Sequence, residues 1–193
     1  MRLCSYMVKY DTGLAPNPFW GYCTLAVCTP NHMGIRLNKN DWIVGVTIKA
    51  RGNKLLYAMK ISEVLSFNEY YSDNRFESKK PVIGGEWMQK VGDNMYYLDE
   101  KGIWKQHRTI YHREIEIKKK DLKHPLVFIS KEFFYFGRNA LNMPHDFGSL
   151  VINRQGCKLN HNETVVDNFI KWLYQSFEYG VYGNPYDSNE ESK

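Results

Sequence analysis

Asp93, His107 and His112 are the side chains of this sequence best suited to moving protons, with Glu63 a fourth candidate. A carboxylate and imidazoles can serve as general acid and base where the fold brings them within hydrogen-bond reach of one another. Linear spacing leaves that convergence open. A second chemistry, stacking, is carried by Asn17-Pro18-Phe19-Trp20-Gly21-Tyr22-Cys23-Thr24, which packs turn formers and three rings into a stretch too short for a helix. Phe19, Trp20 and Tyr22 either fill the core beside a strand or offer their faces to a flat ligand such as a base, and Trp20 is the best placed to stack. Asn17 and Asn94 sit among turn formers, where each either stabilises its turn or presents a donor and an acceptor to a base edge. Asp41 either caps a turn or accepts an exocyclic amine at a pocket mouth. Tyr135-Phe136-Gly137-Arg138 forms a second aromatic block, in which Arg138 either reaches a phosphate bidentately or makes a surface salt bridge.

Several chemistries are excluded. The chain has no G-x-x-x-x-G-K-[ST] phosphate loop and no G-x-S-x-G elbow, which argues against an ATPase or a serine hydrolase. His107 and His112 stand five apart with no cysteine or carboxylate at ligand spacing, and His124, His145 and His161 are scattered, so neither a metal site nor a cofactor is expected. The four cysteines, Cys4, Cys23, Cys28 and Cys157, contain no CxxC pair and are expected as reduced thiols in a cytoplasmic protein. No apolar run reaches the ~20 residues of a membrane span. A net charge of +5 permits an anionic partner without being the footprint of a duplex-binding arm. Lys118-Lys119-Lys120, with Lys123 and His124, is either a solvated edge or a contact for a nucleic-acid backbone. Aromatic content of 15%, with 14 tyrosines, exceeds the needs of core filling and suits a pocket or interface.

The elements that must position these groups follow from periodicity. Leu3 to Tyr10 reads as a strand entering a turn at Asp11-Thr12-Gly13, Thr24 to Cys28 is a short apolar run, and Asn31 to Asn40 is polar. Trp42 to Ile48 is the clearest strand, and Lys54 to Leu65 is its hairpin partner across a turn at Arg51-Gly52-Asn53. Ser66 and Glu69 form a capping box for a short helix through Tyr71. Asn74 to Gly92 is a long irregular excursion ending at Gly92-Asp93-Asn94, which delivers Tyr96. Arg108 to Asp121, with Ile115 and Ile117 at period two, predicts a half-exposed strand, and Leu126 to Ser130 a buried one. Val165, Val166, Phe169, Ile170, Leu173 and Phe177 predict a C-terminal helix capped by Asn160 and Glu163. The expected whole is a single globular α+β domain over 1–183, mainly antiparallel, with a C-terminal helix closing a β-barrel or curved sheet, and a disordered polar tail at 184–193.

Taken together, Ser5-Tyr6, Asn17 through Ala26, Asp41-Trp42-Ile43-Val44-Gly45, Leu56-Tyr57-Ala58-Met59, Glu63 through Phe67, Gly92-Asp93-Asn94, Ile129-Ser130 and Tyr135-Phe136-Gly137 resemble nucleotide modification associated domain 2 over roughly residues 2–145. That resemblance implies association with enzymes that modify DNA bases or nucleotides, chiefly in phages and bacteria, including bacterial defence, and implies no particular reaction. A weaker likeness, through Asn40-Asp41-Trp42 and Ile61-Ser62-Glu63-Val64, is to the PUA-like barrels of the EVE and ASCH groups, which bind nucleic acids or modified bases in an aromatic pocket. The expected function is a module that binds a nucleotide, nucleic acid or modified base in a pocket walled by the 17–22 loop, the 92–96 turn and the 135–138 block. Alternatives are an enzyme using Asp93, His107 or His112 for acid/base chemistry, and a sequestering or partner-binding protein without catalysis. The oligomeric state is left open.

Overall fold

A computed structural model describes residues 1–27 and 34–188, so Cys28 and the first part of the polar stretch from Asn31 lie outside the described residues. The elements in chain order are β1 (Leu3–Val8), β2 (Cys23–Leu25), β3 (Trp42–Thr47), β4 (Leu55–Lys60), β5 (Glu63–Ser66), α1 (Phe67–Ser72), α2 (Trp87–Lys90), β6 (Tyr96–Leu98), β7 (Trp104–Gln106), α3 (Ile115–Asp121), β8 (Leu126–Ser130), β9 (Glu132–Tyr135), β10 (Cys157–Lys158), α4 (Glu163–Ser176) and β11 (Gly180–Val181). They build a mixed α+β fold. A six-stranded sheet runs β10-β1-β3-β4-β9-β11, a three-stranded sheet runs β2-β8-β5, and β6 pairs with β7. Pairing is antiparallel throughout except for β1 with β3 and β9 with β11.

The central strands read as near-continuous apolar runs because both faces of the large sheet are covered. Cys4, Tyr6, Ile43, Tyr57, Met59, Phe133 and Tyr135 pack towards the second sheet through Cys23, Leu25 and Phe128. The opposite face carries Trp42, Val44, Ala58 and Phe134 against Phe169 and Leu173 of α4. A third cluster, including Phe67, Tyr70, Phe76, Tyr96 and Val127, joins α1 to the three-stranded sheet and to the β6–β7 hairpin. That cluster positions the functional region.

Five sequence expectations are corrected. The single strand Lys54–Leu65 divides at Ile61-Ser62, because the Ile61 amide donates to Asp41 while the next amide, of Ser62, donates to Ile129 in the other sheet. The predicted strand over Arg108–Asp121 is replaced at Ile115–Asp121 by α3. Ile115 is solvent-exposed, so its spacing from Ile117 never marked a buried face, and the intervening Glu and Lys residues are good helix formers. The cap of α4 is Asn162, whose side chain accepts from the Val165 amide, rather than Asn160. Cys4 and Cys157, expected as thiols, are joined as a disulfide between β1 and β10, while Cys23 is free and buried. The segment 184–188, read as part of a free tail, is docked: the Asp187 amide donates to the Asp11 carbonyl, and its carboxylate receives both terminal nitrogens of Arg51. Residues 189–193 lie outside the described residues.

Candidate functional site: an aromatic cleft beside a buried polar knot

Asn17 and Thr24 exchange backbone hydrogen bonds of 2.9 and 3.0 Å, closing residues 18–23 into a hairpin loop. The turn at its tip needs left-handed backbone at Trp20 (φ 55°) and Gly21 (φ 78°). Glycine adopts that conformation without cost, whereas a bulky residue there is strained, and such residues concentrate at ligand clamps and active sites. The turn sends neighbouring rings apart. Phe19 is buried, edge-on to Trp20 and Trp87 at 5.6 and 5.3 Å, whereas Trp20 remains 37% exposed. Tyr22 packs edge-on to Phe76 at 5.1 Å.

The inner face of this loop is a buried polar knot. Lys79, fully buried, donates to the Asn17 carbonyl, the Asn17 side-chain oxygen and the Tyr22 carbonyl at 3.0, 2.7 and 3.1 Å. The remaining amide nitrogen of Asn17 donates to the Val91 carbonyl at 3.1 Å. Gly92 lies so close to the Lys79 carbonyl that any Cβ would collide with it, and this approach brings Asp93 and Asn94 into the knot. Asp93 accepts from Thr24 (2.7 Å) and Tyr70 (2.8 Å), and Asn94 donates to the Tyr70 and Phe76 carbonyls, each at 3.1 Å. Burial lowers the Lys79 ammonium to about 8, offset in part by the Asp93 charge. Burial likewise raises Asp93, with Lys79 opposing the shift. Asn17, Asp93 and Asn94 thus meet, as the sequence expects, but with their polar groups turned on one another.

The outer face is different. Trp20, Tyr71, Glu77, Ser78, Lys80, Pro81, Val82, Gln89 and His107 line a cavity of about 440 Å³. Each wall has a local cause. The capping box of Ser66 and Glu69 starts α1, which carries Tyr71. The excursion at 74–92, far from irregular, contains a 3₁₀ stretch at Asn74–Lys79 and α2, and supplies Lys80 and Gln89. The β6–β7 hairpin ends at His107, whose amide donates to Met95. Tyr71 stacks on Tyr97 with centroids 4.5 Å apart, its hydroxyl lies 2.7 Å from His107 Nε2, and Lys80 Nζ sits 4.1 Å from its ring centroid. Burial, followed by the Lys80 charge, lowers the His107 pKa below its usual 6.5, so the imidazole is neutral at physiological pH.

Two of the sequence candidates, Trp20 and His107, therefore share this cleft. The others are placed elsewhere. Asp41 caps a turn, accepting from the amides of Arg2 (2.7 Å) and Asn38 (2.9 Å). Tyr96 donates to Asp121 at 2.8 Å, and His112 Nδ1 lies 2.5 Å from the same carboxylate oxygen. Tyr135 donates to both oxygens of Asp11, and Arg138 donates to the carbonyl and hydroxyl oxygens of Ser188. Glu63 pairs with Arg75. Asp93, His107 and His112 each engage a different partner rather than one another.

Sequence reasoning missed Tyr71, Ser78, Lys80 and Gln89. Tyr71 stood in a recognised helix, but nothing in the spacing reported which side of that helix faced the loop. Among the described residues, no group of three or more His, Cys, Asp or Glu could hold a metal ion, and no helix is long and apolar enough to cross a membrane. A family model, Nucleotide modification associated domain 2, matches residues 1–192, beyond the 2–145 over which the motifs were recognised. Neither the curated proteins nor the solved structures include a match.

Proposed function

The chain belongs to the nucleotide modification associated domain 2 family, and we propose that it binds a nucleobase, ordinary or modified, in the cleft between Trp20 and the Tyr71–His107 pair. Family membership supplies the nucleotide context. The observation that carries the reading is the conjunction, in one cavity, of a half-exposed tryptophan on a strained turn with a tyrosine ring fixed by stacking and by a hydrogen bond to His107. Aromatic faces held this way accept any base, and stacking contributes about 1–3 kcal/mol per base. Ser78 and Gln89 supply hydroxyl and amide groups for the base edge, which is how a site becomes selective among bases. The PUA-like architecture is part of the same proposal, because two sheets that share a core can curve about a pocket at their margin.

A second reading, acid/base chemistry on the bound nucleotide, rests on His107 alone among the three candidates. It is the one that lines the cleft, and burial keeps its imidazole neutral and able to accept a proton. Mass spectrometry of nucleotides incubated with wild type and His107→Ala separates the two readings, since binding without chemistry leaves every nucleotide intact in both. Binding itself is tested by titrating the four deoxynucleotides and a 5-substituted deoxycytidine nucleotide against wild type, Trp20→Gly and Tyr71→Ala. Each variant is expected to weaken binding about tenfold or more. Affinities unchanged by both substitutions would contradict the proposal.

A further inference from the structure

The aromatic cleft does not end at His107. The same residue lines a second hollow of about 280 Å³, formed with Gln106, Arg108, Thr109 and Arg113. Its chemistry is cationic where that of the cleft is aromatic. Arg113 is anchored by a 2.9 Å bond from Nε to the Thr109 carbonyl, which fixes the plane of the guanidinium and leaves its two terminal nitrogens for another acceptor. Neither Arg108 nor Arg113 is paired with a carboxylate among the described residues. Other arginines of this chain are committed: Arg51 to Asp187, and Arg75 to both Glu63 and Asp73. Two uncommitted guanidiniums on one concave surface attract a polyanionic group, and their planar forks match the oxygens of a phosphate.

We propose that this hollow is a phosphate subsite, so that the ligand of the cleft is a phosphorylated nucleotide, with its base against Trp20 and Tyr71 and its phosphate on Arg108 and Arg113. This rests on the base-binding reading above. Gln106, whose amide nitrogen donates to the His112 carbonyl at 2.8 Å, holds the loop that carries both arginines. The Lys80 ammonium, 4.1 Å from the Tyr71 ring centroid, is paired with Glu77 at 2.5 Å, so it competes less strongly for the phosphate.

The test is calorimetric titration of deoxynucleosides and their 5′-monophosphates against wild type and an Arg108→Ala, Arg113→Ala double variant. Both arginines are solvent-exposed, so the variant is expected to fold normally, and an unchanged affinity for the nucleoside checks this directly. A charge-assisted phosphate contact predicts that the monophosphate binds wild type about tenfold more tightly than its nucleoside, and that the double variant abolishes this preference. Equal affinity of nucleoside and monophosphate for wild type, or a preference that survives in the double variant, overturns the phosphate subsite while leaving base binding intact. If neither compound binds, the base-binding reading fails and the subsite falls with it. A short single-stranded oligonucleotide in the same titration identifies whether the phosphate belongs to a strand. Affinity lost in the double variant supports the subsite, and affinity indifferent to it counts against it.

Discussion

The two faces of the loop at residues 17–24 use similar side chains for opposite purposes. On the inner face, Asn17, Thr24, Tyr70, Lys79, Asp93 and Asn94 are buried and bonded into one network, in which only the Asn94 side-chain oxygen lacks a partner among the described residues. On the outer face, Trp20, Tyr71, Lys80 and His107 are only partly buried and line open space. A buried polar network is stabilising when its members are paired, and nearly all of these groups are engaged with one another, so the inner face has little to offer a ligand. Its effect is to hold the strained turn that keeps Trp20 at the cleft. The knot is the foundation and the cleft is the site.

Lys79→Ala is the variant expected to have the largest effect on this division. It leaves three oxygens without their buried donor and Asp93 without a compensating charge, so stability should fall by about 3–5 kcal/mol. Urea unfolding measures this, and a loss below about 1 kcal/mol would show that the knot does not anchor the loop.

The next effect concerns the docked C-terminal segment. Burial pushes Asp11 up to about 6 from 3.8, against hydrogen bonds from the Tyr186 amide and Tyr135 hydroxyl that favour its charged form. The folded chain therefore keeps the Asp11 proton to higher pH than the unfolded chain does. This contribution to stability is complete below pH 3.8 and is lost as pH rises through about 6, a change of up to about 3 kcal/mol. Asp11→Asn should remove that component of the stability–pH curve between pH 4 and 6, and superimposable curves for wild type and variant would refute it.

The smallest expected effect on stability belongs to the cleft. Trp20→Gly loses an exposed ring but relieves a left-handed backbone position, so its unfolding free energy should stay within about 1 kcal/mol of wild type. A loss comparable to that of Lys79→Ala would mean that Trp20 is a structural residue and would erase the distinction between the two faces.

The sequence carried much of the fold. Trp42 to Ile48 and Leu126 to Ser130 are apolar runs whose burial on both faces makes them legible as strands, and the Ser66–Glu69 box is a local signal with a local meaning. Where the reading failed, tertiary partners decided the outcome. Ile61 and Ser62 are adjacent yet hydrogen-bond to different sheets, and no local pattern reports such a division. The site was legible in part for the same reason. Trp20 and His107 were identifiable as chemically capable residues, but only the approach of Gly92 to the Lys79 backbone decides that Asp93 and Asn94 face inward. Tyr135 and Arg138 had equal aromatic and cationic credentials. Their partners, Asp11 and Ser188, lie 124 and 50 residues away along the chain, so neither engagement is encoded near Tyr135 or Arg138.

The most direct measurement is a crystal structure of the protein soaked with a mixture of deoxynucleoside 5′-monophosphates. The account predicts a base lying against Trp20 and Tyr71 within reach of His107, with its phosphate directed to Arg108 and Arg113. A nucleotide bound elsewhere, with the cleft vacant at saturating concentration, would contradict it.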